Sequence, residues 1–251
     1  GLTTEVPPEN IIRAERDGKP IEFKTGKNIT PAERKVLDSF YDGKKTADEL
    51  GEVKTLYVTG GPAGAGKSTT IPRESTLNHV HANADLIREK MGNVTPEAHE
   101  RASELAKHLK DEALSRGYHT LYDSQLTNFA EADKAIQRVI EGGGTVLIGF
   151  TNIDAETSVV RSEIREQEIK EGIAKGKPRK VPRSVSVKGY NRALPTLLEL
   201  VNKYKNNPLV DFAVVDNNVD FRQPVKIFDQ VKGTISIDNL PKIDYIKAGK
   251  G

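Results

Sequence analysis

The chain predicts a three-layer α/β fold on a largely parallel, five-stranded sheet. Three observations predict it. Short β-rich runs alternate with helical patterns, and a glycine-rich loop joins the first core strand to its helix. Polar motifs then recur directly after successive strands, where parallel sheets bind their ligands. At 251 residues, 29% charged and 36% hydrophobic, the composition is that of a globular protein able to bury a sizeable core.

Residues 1–50 read as an N-terminal arm followed by short helices, 51–216 as the core and 217–251 as a C-terminal extension. Residues 1–27 are polar, with only "PIEF" as an apolar piece, and read as irregular. Thr30-Pro31-Ala32-Glu33 is a capping box with proline at the first helical position, opening a helix to about Asp42. Thr46-Ala47-Asp48-Glu49 opens a second, very short one. "KTLYVT" (54–59) is the first core strand, followed by the glycine loop and a helix from about Lys67 that meets Pro72 early. "HVHA" (79–82) is the second strand. Ala98, Ala102, Leu105, Leu109 and Ala113 keep a helical period across 96–115, and Gly117 ends that helix. "YHTLYD" (118–123), "GGGTVLIGF" (142–150) and "VDFAVVD" (210–216) are the remaining strands, with helices expected at 129–140, 155–171 and 187–204. "VKIFDQV" in the tail is one more helix or strand.

Composition removes several classes of function. There is no cysteine, so disulfides, zinc-thiolate sites and thiol catalysis are excluded. The five histidines are scattered, and His79 and His81 alternate as a strand would. A formal charge of +2 gives no general argument for a nucleic-acid or membrane partner. No apolar run is long enough for a membrane helix and no signal-peptide pattern opens the chain, so the cytoplasm of the producing cell or of a target cell is expected. Beginning at Gly1, the sequence reads as a piece of a longer protein.

Gly61-Pro62-Ala63-Gly64-Ala65-Gly66-Lys67-Ser68 satisfies G-x-x-x-x-G-K-[ST] between a strand and a helix, with Thr69 next in line. Bare backbone N–H groups and the helix N-terminus suit a phosphate, Lys67 suits the β- and γ-phosphates, and the Ser68 hydroxyl suits Mg2+. ATP and Mg2+ are therefore the expected ligands. The guanine-reading N-K-x-D of a GTPase is missing, and "YHTLYD" ends in the single acid Asp123 rather than a Walker B acid pair. What is present are the parts of a kinase: a carboxylate for the acceptor's proton and arginines for the transferring phosphoryl group.

Asp85, in "NADLIR", lies at the carboxyl end of the second strand, either as general base or as cap of the helix that follows. Arg88, one turn on, either contacts the acceptor or is solvated. Asp123 either holds magnesium or makes an Asx turn into "SQLTN", and Thr127 and Asn128 are candidates to face the substrate. Arg161 and Arg165, spaced i, i+4, either reach the γ-phosphate or belong to a salt-bridged surface helix. Residues 170–188 carry seven basic residues and one acidic. They read as a lid in which Arg179, and after it Arg183, would close over the triphosphate, or as a solvated basic face.

In this order and spacing, "GGPAGAGKST", "NAD", "GYHTLYDSQLTN", the helix with Arg161 and Arg165, and "GKPRKVP" make residues 50–216 resemble the zeta-toxin family of P-loop kinases. The resemblance implies a P-loop kinase fold and transfer of the ATP γ-phosphate to a small-molecule hydroxyl. The family's best known acceptor is the 3′-OH of the sugar in UDP-N-acetylglucosamine. It further implies Asp85 as base, Lys67 and Ser68 on nucleotide and Mg2+, and Arg161, Arg165 and Arg179 as the phosphate clamp. An antitoxin or inhibitory protein is the partner such a kinase would have. Asp123-Ser124-Gln125 departs from the family's Asp-Gly-Thr or Glu-Thr-Thr, beside the acceptor. Two other readings share the loop. One is a polynucleotide 5′-hydroxyl kinase with 170–188 as its groove, disfavoured because no aromatic residue interleaves those charges. The other is a nucleotide-gated binding protein that needs no acceptor.

Overall fold

A computed structural model describes residues 13–16, 19–22, 28–61, 76–92, 96–152, 163–164, 166–173, 183–216 and 225–229. Two short strands, β1 (Arg13–Arg16) and β2 (Lys19–Glu22), pair antiparallel with Arg13 opposite Glu22. The arm expected to be irregular thus contains a strand pair. Asp17-Gly18, the two residues between the strands, is a strong two-residue hairpin signal.

Helix α1 (Pro31–Asp38) starts at the capping box expected of it: Glu33 N–H donates to Thr30 Oγ1, and Thr30 N–H donates to the Glu33 carboxylate. A 3₁₀ turn (Ser39–Tyr41) and the short α2 (Ala47–Leu50), capped likewise by Thr46 and Glu49, lead into the sheet. Its strands are β3 (Thr55–Gly60), β4 (Val80–Ala82), β5 (Thr120–Asp123), β6 (Thr145–Asn152), β7 (Val210–Asp216) and β8 (Val225–Asp229). They lie in the order β4-β5-β3-β6-β7-β8. The first five are parallel, as expected, and β8 adds an antiparallel edge. The tail segment "VKIFD" is therefore a strand. Helices α3 (Ala84–Met91), α4 (Pro96–Ser115) and α5 (Phe129–Glu141) fall where their patterns placed them. Helix α6 (Arg183–Tyr204) begins earlier than expected, so residues 183–188, read as the end of a lid, form its first turns. Of the helix expected over 155–171, residues 163, 164 and 166–170 are described and helical.

Two apolar clusters hold the helices to the sheet. One joins Leu56, Val58, Ile148, Phe150 and Phe212 of the strands to Ile136 of α5 and Leu197 and Val201 of α6. The other joins Ile29, Leu37 and Phe40 of the N-terminal segment to Val80, Ile87, Leu105 and Leu109. Among the described residues no helix is long and apolar enough to cross a membrane.

The N-terminal segment is also fastened by charge. Glu112 of α4 is buried, and both its oxygens take hydrogen bonds from Arg34 at 2.8 and 2.7 Å. Tyr41 donates to the same carboxylate at 2.8 Å and His108 lies 3.0 Å from it. Burial pushes the Glu112 carboxyl up, but the hydrogen bonds of His108 and Arg34 and the Arg34 charge hold it far below the usual carboxylate range. Removing one partner of such a buried network strands the others. Glu112→Ala is expected to lower unfolding stability by about 3 kcal/mol, read from urea melts. An unchanged melt would show that the apolar cluster alone holds the segment.

At the amino ends of β4 and β5, His79 and His119 stack with ring centroids 5.2 Å apart. Thr55 N–H donates to His119 Nδ1, so Nε2 carries the proton toward Glu52, 3.0 Å away. Burial, with His119 and Lys44 nearby, lowers His79 from its ordinary value near 6.5 to about 4. Burial lowers His81 as well. The unfolded chain therefore binds more protons than the folded one between those two values. Stability is full above pH 6.5 and falls as pH drops toward 4. In His79→Gln the urea midpoint should fall less over this window than in wild type. Parallel curves would remove His79 from the account.

Candidate active site

The carboxyl ends of β3, β4 and β5 meet at one point. β3 and β5 run parallel with Thr59 level with Asp123, so a hydroxyl and a carboxylate stand side by side. Thr59 Oγ1 donates to Asp123 Oδ1 at 2.8 Å. Asn83, leaving β4, donates from Nδ2 to Asp123 Oδ2, also at 2.8 Å. The Asp123 side chain is thus held by two neighbouring strand ends. The turn after β5 is made instead by Ser124, whose hydroxyl accepts from Leu126 N–H at 2.9 Å.

Asn83 is also the N-cap of α3: its Oδ1 accepts from the N–H groups of Asp85 and Leu86 at 2.8 and 3.1 Å. The capping role considered for Asp85 therefore belongs to Asn83. Asp85 sits within the first turn, its side chain 41% exposed, where the helix N-terminus favours a negative charge. Arg88 is not the solvated residue that one reading of the sequence allowed. It is buried, with a guanidinium nitrogen 3.4 Å from Asp85 Oδ1. An i, i+3 arginine thus lies against the carboxylate whose role is at issue.

The phosphate loop leaves from the end of β3. Gly60 is packed so closely that a Cβ there would lie 2.9 Å from the Leu126 Cβ, and Leu126 itself takes a left-handed φ of 59°. Gly61, first glycine of the motif, has φ 125°, and a Cβ there would fall 2.4 Å from the Thr151 carbonyl oxygen. Its N–H donates to Gln125 O at 3.3 Å. Backbone so bare at the start of the loop fits a polyphosphate. The carboxylate and hydroxyl at the neighbouring strand ends are oxygen groups of the kind Mg2+ takes.

Pro62 to Thr69, with Lys67 and Ser68, lie outside the described residues, as do Arg161, Arg165, Arg179 and the lid segment 174–182. Of the described candidates, Arg88 lies against Asp85, while Asp123 is held by Thr59 and Asn83 and Gly61 packs on Thr151. Thr127 follows in the loop after β5. Asn128 is exposed, and its Oδ1 is engaged as the α5 cap, accepting from Glu131 N–H at 3.1 Å. The sequence reading passed over Thr59 and Asn83. Thr59 carries no signal in the sequence, since the register that sets it level with Asp123 is tertiary, whereas Asn83 could have been found from its place as a capping residue type just before an acidic first turn.

The fold is shared with solved structures. The complex of AvrRxo1-ORF1 with AvrRxo1-ORF2 matches at TM-score 0.67 and 20% identity, over 86% of this chain and 72% of that one. A form of that complex with ATP matches at 0.66 and 18%, over 90% and 74%. A structure from the PezAT chromosomal toxin–antitoxin system of Streptococcus pneumoniae matches at 0.58 and 20%, over 82% and 81%. No curated protein sequence matches the chain. The Zeta toxin family model matches residues 38–223. That span takes in every strand of the parallel sheet and the whole phosphate loop, and the chain belongs to the zeta-toxin family of P-loop kinase folds.

Proposed function

We propose that the protein is an ATP-dependent kinase that moves the γ-phosphate to a hydroxyl of a small molecule, a nucleotide sugar such as UDP-N-acetylglucosamine being the leading acceptor. The observation that carries the reading is Asp85. It is a carboxylate that does not cap its helix, is partly exposed, and stands two residues after Asn83, whose amide reaches Asp123 on the strand next to the one that launches the phosphate loop. In that place it accepts the acceptor hydroxyl's proton as the oxygen bonds to the γ-phosphorus and the bridging oxygen leaves with ADP. Lys67 neutralises the β- and γ-phosphates, while Arg161, Arg165 and Arg179 clamp the transferring group. Arg88 holds the base. Ser68, and Asp123 through water, would hold Mg2+, which when bound supplies charge neutralisation on the phosphates.

Solved neighbours of the same fold occur in complexes and in a toxin–antitoxin system, which supports an inhibitory protein as partner. The cytoplasm is the proposed place of action.

The test is transfer of labelled γ-phosphate from Mg-ATP to a panel of acceptors. It holds UDP-N-acetylglucosamine, other nucleotide sugars, nucleosides, NAD and a 5′-hydroxyl oligonucleotide. Lys67→Ala and Asp85→Ala serve as controls. A labelled small molecule that disappears in both variants supports the proposal and names the acceptor. Label on the oligonucleotide would make the protein a polynucleotide kinase. Slow phosphate release, equal in wild type and Asp85→Ala, would leave a nucleotide-gated binding protein.

A further inference from the structure

Asn83 does two things with one amide. Its oxygen caps α3 through the N–H groups of Asp85 and Leu86, and its nitrogen donates to Asp123 Oδ2. The orientation of the amide is fixed by its partners, since backbone N–H groups only donate and an ionised carboxylate only accepts. Capping alone does not require asparagine; serine or aspartate would cap equally well. A residue that must both accept from the helix and donate to a carboxylate is a narrower demand. Thr59 holds the other Asp123 oxygen, so that carboxylate is a fixed post and Asn83 is the link from it to α3.

We propose that Asn83 is a positioning residue for phosphoryl transfer, setting the base Asp85 at a fixed place relative to Asp123. The inference rests on the kinase reading above. Without the link α3 keeps its cap but loses its anchor to β5, and Asp85 shifts with the first turn of the helix. A displacement near 1 Å of a reacting group costs up to about 100-fold in rate.

Asn83→Ser keeps the capping oxygen on a side chain too short to reach Asp123. Its melting temperature should stay close to wild type and its nucleotide affinity should be unchanged, while kcat falls by roughly 10- to 100-fold. Asn83→Asp also caps but turns an oxygen toward Asp123 Oδ2, and its loss should be at least as large. In an Asp123→Ala background, Asn83→Ser should cost only about 2-fold more, because the post it leans on is gone.

Wild-type kcat in both stable variants would overturn the inference while leaving the kinase intact. So would a full, additive loss in the Asp123→Ala background, or loss of the folded state in both variants, since Asn83 would then be scaffold alone. Absence of transfer by the wild-type protein itself would overturn the kinase reading and this inference together.

Discussion

Asp85→Ala should lower phosphoryl transfer by about 10²- to 10⁴-fold while leaving the fold and nucleotide affinity in place. The magnitude is that of a lost general base, equivalent to about 3–5 kcal/mol of barrier at about 1.4 kcal/mol per tenfold. The separation of effects comes from location. Asp85 lies on α3 with its side chain 41% exposed and caps nothing, so its removal empties no core position. Stability should change by at most about 1 kcal/mol, the worth of an acid in the first helical turn. Asp85→Asn sharpens the test. It keeps size and keeps an acceptor for buried Arg88 but cannot take a proton at neutral pH. Both variants should be slow at saturating ATP and bind it with wild-type affinity. An active Asp85→Asn would remove the base from the mechanism.

Most of the architecture was legible in residue pattern because the strands alternate with long periodic helices whose caps are written locally. Thr30 and Thr46 open their helices with the residue types that a capping box needs, and the 96–115 helix shows its apolar stripe without help from tertiary context. The β1–β2 pair was missed although Asp17-Gly18 marks it, because four-residue strands rich in charge offer no alternation to read. β8 could not be separated from a helix, since a five-residue segment with apolar Val225, Ile227 and Phe228 fits either.

The site was legible one residue at a time but not as a network. A sequence can nominate Asp85 and Asp123 by their positions after strands. That Arg88 is buried against Asp85, or that one amide spans from α3 to β5, depends on parallel register and helix direction. The same limit applies to Glu112, which reads as one charge among many on α4 and proves to be the buried centre of a network reaching Arg34 and Tyr41.

Gly61→Ala should be the most damaging small substitution at the site, abolishing nucleotide binding and destabilising the sheet together. Two costs act at one atom. The backbone at φ 125° is a region that side chains rarely adopt, a strain on the order of 1–3 kcal/mol. The new methyl carbon would also stand 2.4 Å from the Thr151 carbonyl oxygen. Thr151 cannot step aside cheaply, because β6 is paired to β7 there, Thr151 level with Val215, and to β3 one residue earlier, Phe150 level with Gly60. Relief must come from Gly61, and moving it re-aims the first turn of the loop that carries Lys67 and Ser68. The combined loss is expected at about 4 kcal/mol or more, from strain plus the displaced strand end. Gly149→Ala provides the contrast: a Cβ there would meet only the ring of Tyr57, 2.9 Å from its hydroxyl oxygen, so it should lower the urea midpoint while leaving nucleotide binding near wild type. Equal melts for wild type and Gly61→Ala would show that the strand end can yield, and that the bareness of this glycine serves the phosphate alone.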